Sequence, residues 1–298
     1  MAVTDKQMRL LIIDGHAFAY RAFYAIRGLN SPTGQPTNAI YGFINMLAKL
    51  EAQVLPTHSV VVWDGGLDEG RVEELDDYKA QRDPMPDEME VQLDAMVEYL
   101  EAEGWASVCD DGVEADDRIG QLSRRAEAEG FEVAIASSDK DFLQLINDRV
   151  KMLNPADKTG KPMDAEAVVA KTGVRPEQIV DWLSLVGDAA DNIPGVPGVG
   201  VKTAAALLNE FGSVDGIYER LAKVGREKLR EALAAAEADV RRNQSLVALK
   251  LDLPGEPELD DLRRGFQDVA RLEALYEAWG FNTLLKDLRE TRQGALFE

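Results

Sequence analysis

The chain has one cysteine, Cys109, and two histidines, His16 and His58, in 298 residues. A lone cysteine excludes an intramolecular disulfide and any multi-cysteine zinc site, and two histidines make an imidazole metal centre a poor prospect. Any metal must be held mainly by carboxylates. No apolar run approaches the roughly 20 residues of a membrane-spanning helix. The opening "MAVTDKQMRLLIIDG" runs straight into a strand-like segment without a secretory cleavage pattern, so a cytoplasmic location is expected. Positive charge is scarce as well: 33 Lys and Arg stand against 54 Asp and Glu, a formal net charge of −21. Taken alone, that balance argues against a nucleic-acid partner. It is a weak filter, because binding depends on where the cations lie and on bound metal ions.

With 45% hydrophobic and 29% charged residues, the chain can bury a sizeable core as one large or two intimate domains. "RLLIID" (9–14), "HSVVVWD" (58–64) and "FEVAIASSD" (131–139) are short β-branched runs that each end at an aspartate. They read as buried parallel strands. The helical patterns "AIYGFINMLAKLEAQ" and "EADDRIGQLSRRAEAEG" lie between them, giving a βαβ rhythm and an α/β class. Beyond about residue 174 helical patterns dominate, including the long stretch 226–249, and no internal repeat or long low-complexity linker intervenes.

Ligands bind such sheets at the carboxyl ends of the strands, which is where Asp14, Asp64 and Asp139 fall. "GVEADD" adds Glu114, Asp116 and Asp117 at a predicted helix start, "SSDKDF" adds Asp141, and "GDAADNIPG" adds Asp188 and Asp191. Gathered carboxylates repel one another unless cations neutralise them. Hard oxygen ligands suit Mg2+ or Mn2+, and two such ions roughly 4 Å apart can activate water and stabilise a leaving oxygen in phosphodiester hydrolysis. An acid at a helix start also serves as an ordinary cap, and a chain this acidic forms clusters by chance.

"GDAADNIPGVPGVGVKTA" (187–204) poses two questions at once. Asp188 and Asp191 could share one side of a helical turn, which suits a cation. Gly198 and Gly200, ahead of a helix beginning near Val201 and Lys202, could bring backbone N–H groups to a phosphate. A plain Asp and Pro-Gly turn would look the same.

Taken in order, "IIDGHAFAYRAFYA", "VVWDGG", "YKAQR", "GVEADD", "SSDKDF" and "GDAADNIPGVPGVGVKTA" resemble the 5′-nuclease family, in particular bacterial flap endonucleases and the 5′→3′ exonuclease domain of DNA polymerase I. The resemblance spans roughly residues 8–288. It implies a PIN-like α/β core (1–173) with a helical arch at about 71–103, a helical region with a helix-hairpin-helix motif (174–290), and a flexible tail (291–298). No polymerase or proofreading segment follows, so a stand-alone monomeric nuclease is expected. The resemblance makes Asp14, Asp64, Glu114, Asp116 and Asp117 direct or water-mediated ligands of a first metal. Asp188 and Asp191 become ligands of a second, with Asp139 and Asp141 between the two. It also implies a K+ held by the carbonyls of Leu185, Val186, Pro194, Val196 and Val199, meeting a DNA phosphate. Lys79 and Arg82 would stabilise charge on the scissile phosphate, Tyr78 would stack on a base, and Arg21 would reach the backbone. His16 is expected to hydrogen-bond or pack rather than ligate.

Two departures from the family pattern, Asp76 before the Tyr-Lys pair and Trp63 before Asp64, remove no ligand. The arch segment 71–103 is more awkward, with three basic residues against twelve acids. Segment 223–250 runs the other way, with seven basic residues against four acids, and could follow duplex phosphates. The expected activity is removal of flaps or RNA primers at single-strand/duplex junctions. A non-catalytic branched-DNA-binding module and a PIN-type ribonuclease are the competing readings. Finally, Gln293, Leu296 and Phe297 form a Gln-x-x-Leu-Phe pattern similar to peptides that dock on a bacterial sliding clamp.

Overall fold

The computed structural model describes residues 7–295. Five strands, β1 (Arg9–Asp14), β2 (His58–Trp63), β3 (Ala106–Cys109), β4 (Glu132–Ala136) and β5 (Val150–Leu153), form an all-parallel sheet in the order β3-β2-β1-β4-β5. Successive strand residues face opposite sides. Leu10, Ile12, Val60 and Val62 therefore enter one core, while Leu11, Ile13, Val61 and Trp63 enter another. The edge strands β3 and β5 escaped sequence reading because each has only four residues, and β3 alternates between half-buried and exposed.

Between β1 and β2 run α1 (Gly15–Ala25) and α2 (Asn38–Val54); between β2 and β3 run α3 (Glu69–Glu74) and α4 (Asp87–Glu103); α5 (Ala115–Ala128) leads to β4. Helices α1, α2 and α4 cover one face of the sheet and α5 the other. The chain thus leaves β1 toward β2 and returns on its other side with β4. That reversal opens a crevice beyond the carboxyl ends of the strands.

After β5 come α6 (Ala165–Thr172), α7 (Ile179–Val186), a hairpin of β6 (Gly187–Asp188) and β7 (Ile193–Pro194), and α8 (Val201–Phe211). The remainder is α9 (Val214–Glu219), α10 (Glu227–Ala235), α11 (Glu237–Val247), α12 (Val269–Trp279) and α13 (Asn282–Ala295). The stretch 226–249 is two helices broken at Ala236, not one. Helices α7, α8 and α11 extend the core beneath α5, whereas α12 and α13 close the core beneath α4. Gln293 falls within α13, and Leu296 and Phe297 lie outside the described residues. No described helix is long and apolar enough to cross a membrane.

Candidate active site

Asp14, the last residue of β1, is both a helix cap and a site residue. Its Oδ1 accepts the Ala17 N–H at 3.1 Å, starting α1, and its Oδ2 accepts the Ser137 hydroxyl at 2.8 Å. Ser137, just past β4, also accepts the Asp139 N–H at 3.1 Å, and Asp139 accepts the Asp141 N–H at 2.8 Å. Asp116 reaches the same crevice from the first turn of α5. Burial raises the Asp14 carboxyl to about 6, with Asp139 and Asp64 adding repulsion. Burial, then neighbouring carboxylates, lifts Asp116 and Asp141 well above the ordinary range, and Asp139 is raised by burial with Asp191 and Asp188 contributing. Such a group is stabilised by a cation.

Asp188 and Asp191 come from the hairpin, not from the helical turn their spacing suggested. Helix α7 stops at Val186 because Gly187 adopts φ +79°, and the chain then turns back as β6 pairs with β7. The turn brings carboxylate oxygens of Asp141, Asp188 and Asp191 within 4.8 Å of one another. Asp141 Oδ1 is buried there without a hydrogen-bond donor. An orphaned buried acceptor in an all-oxygen triad fits a hard divalent cation such as Mg2+ or Mn2+. Two side-chain cations border the triad: Lys140 Nζ lies 2.8 Å from Asp188 Oδ1, and Arg82 Nη2 lies 2.7 Å from Asp191 Oδ1.

Of the nine expected ligands, Glu114 and Asp117 stand apart from this convergence, and Asp64 lies at its edge, close enough to repel Asp14. Asp117 receives both terminal nitrogens of Arg71 at 2.7 and 2.8 Å. Glu114 Oε2 receives Arg71 at 2.9 Å, Lys79 at 2.7 Å and the Tyr78 hydroxyl at 3.1 Å. Burial pushes the Glu114 carboxyl up, but Lys79 and Arg71 outweigh it and hold the group below its ordinary value. In this conformation both acids fasten Arg71 of α3 to α5, and Glu114 also holds Tyr78 and Lys79 of the segment that follows α3. Asp64 is half-buried and accepts the Gly66 N–H at 3.1 Å, while its own N–H donates to His16 Nδ1 at 3.1 Å. His16 also meets Trp63 edge-on at 5.5 Å, so hydrogen bonding and packing account for it.

Tyr78, expected to stack on a base, is turned away from solvent in this conformation. Its ring is 3% exposed within the core, because the hydroxyl is drawn inward to Glu114. An aromatic surface lies instead on α1, where Tyr20 and Tyr24 stack at 6.5 Å and Tyr24 is 64% exposed. The positive charge of Arg82 reaches the Tyr20 hydroxyl, so this face adjoins the arch. Arg21 is exposed on the same helix.

Lys79 is itself buried, with φ +54°, and its N–H donates to the Asp191 carbonyl at 3.1 Å, tying arch to hairpin. Sequence reading missed Arg71, Ser137 and Lys140. Arg71 offered a signal, as one of only three cations in an acid-rich segment.

In the glycine turn, Gly198 has φ +79°, Gly200 is the N-cap of α8, and a side chain at either position would meet open space. Lys202 is exposed one residue into the helix. Of the five carbonyls expected around a K+, three already accept protein donors. Leu185 accepts Val196 N–H at 2.9 Å, Val196 accepts Val199 N–H at 2.9 Å, and Pro194 accepts the Asn243 amide at 2.7 Å.

Family models for "5′-3′ exonuclease, N-terminal resolvase-like domain" and "5′-3′ exonuclease, C-terminal SAM fold" match residues 9–173 and 174–270. The chain belongs to the 5′-3′ exonuclease family. It is 38% identical to the 5′-3′ exonuclease of Aquifex aeolicus over 97% of this chain and 99% of that one. It is 40% identical to DNA polymerase I of Bacillus caldotenax over 94% of this chain, but spans only 32% of that protein. In fold it is similar to T5 5′-exonuclease with bound zinc (TM-score 0.68, 24% identity, covering 95% of this chain and 98% of that one). The catalytic core of Rad2 in complex with DNA substrate is also similar (TM-score 0.61, 18% identity, 91% and 87% covered). The α/β core with its parallel sheet and the helical C-terminal region of this 5′-3′ exonuclease family member are those the motifs led one to expect.

Proposed function

We propose that the chain is a metal-dependent 5′ nuclease that hydrolyses DNA phosphodiesters at single-strand/duplex junctions, removing flaps or RNA primers in replication and repair in the cytoplasm, as a monomer. The observation that carries this reading is the meeting of Asp141 from the sheet edge with Asp188 and Asp191 from the hairpin, with Asp141 Oδ1 buried and without a donor. Asp14, Asp116, Asp139 and Asp141 would hold one Mg2+, and Asp141, Asp188 and Asp191 a second, with Mn2+ as a substitute. Bound there, divalent ions supply Lewis-acid activation of water and neutralisation of the leaving oxygen.

The chain's own groups then have distinct roles. Arg82, half exposed on Asp191, can exchange its carboxylate for a substrate phosphate. Lys79, kept charged by Glu114 despite burial, lends its field to the same place. Tyr20 and Tyr24 offer a face for unpaired bases. The glycine turn and Lys202 would receive a duplex phosphate, with a K+ on the remaining lone pairs of the hairpin carbonyls.

A labelled 5′ flap incubated with Mg2+, Mn2+ or chelator, beside a matched RNA flap, tests the reading. Junction-proximal DNA products that vanish with chelator are expected. Binding without cleavage, or preference for the RNA flap, would overturn it. Replacing K+ by a bulky organic cation at equal ionic strength should weaken duplex binding, and unchanged affinity rejects the K+ site. Docking of Gln293, Leu296 and Phe297 on a sliding clamp is tested with a labelled peptide of residues 288–298. Equal binding by the Leu296→Ala, Phe297→Ala peptide, or none by either, rejects it.

A further inference from the structure

A cavity of about 510 Å³ runs from the sheet edge toward the start of α8. One wall is the metal crevice: Asp14, Asp139, Asp188 and Lys140. The other is built from the helical region by Lys171, Thr172, Trp182 and Val201, and carries no carboxylate. Lys140 is already committed to Asp188 at 2.8 Å. Lys171, in the last turn of α6, is exposed, and its ammonium makes no ion pair or hydrogen bond among the described residues. It lines this cavity in a chain whose acids outnumber its bases by 21.

We propose that Lys171 is the anchor of a phosphate subsite between the metal crevice and the glycine turn, taking one backbone phosphate of the DNA duplex. The inference rests on the nuclease reading above and assigns part of its substrate path. A phosphodiester cannot settle on the carboxylate wall except through cations, whereas the opposite wall offers an unspent ammonium. Beside Lys171 the wall is Trp182, whose indole N–H donates to the Val201 carbonyl at 3.2 Å, and Thr172, whose hydroxyl donates to the Val168 carbonyl at 2.8 Å. Both polar groups are satisfied internally, so the ammonium is the recognising element. A strand running from the crevice to the N-terminus of α8 crosses this wall.

Each duplex phosphate neutralised by a cation adds about 0.9 to the slope of log affinity against log salt. The experiment measures flap-duplex affinity in Ca2+ across a KCl series for wild type, Lys171→Ala, Lys171→Arg and Lys171→Glu. Lys286→Ala, on α13 beside its ion-pair partner Glu290, controls for general charge. Alanine at an exposed helical position favours the helix, so the variant folds. The expected results are a slope smaller by about 1 and severalfold weaker binding for Lys171→Ala, a wild-type slope for Lys171→Arg, and the weakest binding for Lys171→Glu. An unchanged slope with Lys171→Ala, even with weaker binding, overturns the subsite, as does an equal slope change with Lys286→Ala. A wild-type protein that binds the flap but does not cleave it in Mg2+ overturns the nuclease reading alone. Absence of wild-type binding overturns both.

Discussion

Arg71→Ala should be among the most destabilising single changes in the arch. The guanidinium is 4% exposed and donates twice to Asp117, once to Glu114 and once to the Ala248 carbonyl, at 2.7 to 2.9 Å. Glu114 would keep Lys79, Tyr78 and the Asp68 N–H. Asp117, 1% exposed, would keep only the Lys250 N–H at 2.8 Å. The loss therefore falls on one buried carboxylate stripped of its counter-charge, a change that costs about 3–5 kcal/mol. At about 2–4 °C per kcal/mol for chains of 150–250 residues, Tm should fall by roughly 6–20 °C, toward the lower half for a longer chain. Urea denaturation and calorimetry at neutral pH measure both quantities. Arg71→Met combined with Asp117→Asn should recover part of the loss, because both charges leave together. A loss below about 1 kcal/mol for Arg71→Ala, or no recovery in the double variant, would refute the claim that this ion-paired network fastens the arch.

Asp141→Asn should raise Tm in chelator while reducing the stabilisation that Mg2+ or Mn2+ confers, because it removes a carboxylate raised by burial and by Asp139, Asp188 and Asp191; a lower Tm in chelator would contradict the repulsion argument. Asp14 binds its proton more tightly folded than unfolded, so its contribution is complete below its ordinary 3.8 and is lost as pH rises through about 6. At 1.36 kcal/mol per unit that is about 3 kcal/mol, and Asp14→Asn should flatten the chelator-treated stability curve across that window. Burial lowers His58, which gives stability that is lost in the opposite direction as pH falls below 6.5, so the wild-type-minus-variant difference is the informative curve. Lys79→Ala should slow single-turnover cleavage by on the order of 10²-fold, and a near-normal rate would remove Lys79 from the chemistry.

The sheet was legible where strands were long and buried on both faces, as in Leu10–Ile13 and Val60–Trp63, and illegible at four-residue edges such as Ala106–Cys109. Six of the nine acids singled out by position gather around the crevice, because a strand end, a helix start and a short turn are fixed by local chemistry. What the sequence could not display was how charged and polar groups pair across the fold. Arg71 meets Asp117 across 46 positions, Arg82 meets Asp191 across 109, and Asn243 meets the Pro194 carbonyl across 49. Such pairings give Glu114 and Asp117 cationic side-chain partners in this conformation and draw Tyr78 inward. A lone tyrosine in "YKAQR" reads the same whether its ring faces solvent or core.

The same pairings bear on how so acidic a chain could hold a polyanion. The arch segment carries twelve acids, yet the carboxyl-terminal half of α4 directs several of them away from the crevice. Glu98 and Glu101 face Arg271 at 3.3 and 3.0 Å, and Glu103 bonds Arg264 and Gln267. Asp87, Glu88 and Glu90 occupy the first turn of α4, where the helix dipole favours negative charge. Meanwhile Arg71, Lys79, Arg82 and Lys140 all point inward to carboxylates of the crevice or its rim. With a Debye length of about 8 Å at physiological salt, distant acids on the outer face count for little at the crevice. The potential met by a substrate phosphate is then set by six converging carboxylates, the cations they hold and the free ammonium of Lys171. On the nuclease reading, net charge would govern how fast DNA approaches the whole molecule, while the local balance of carboxylates and bound cations would govern whether it stays.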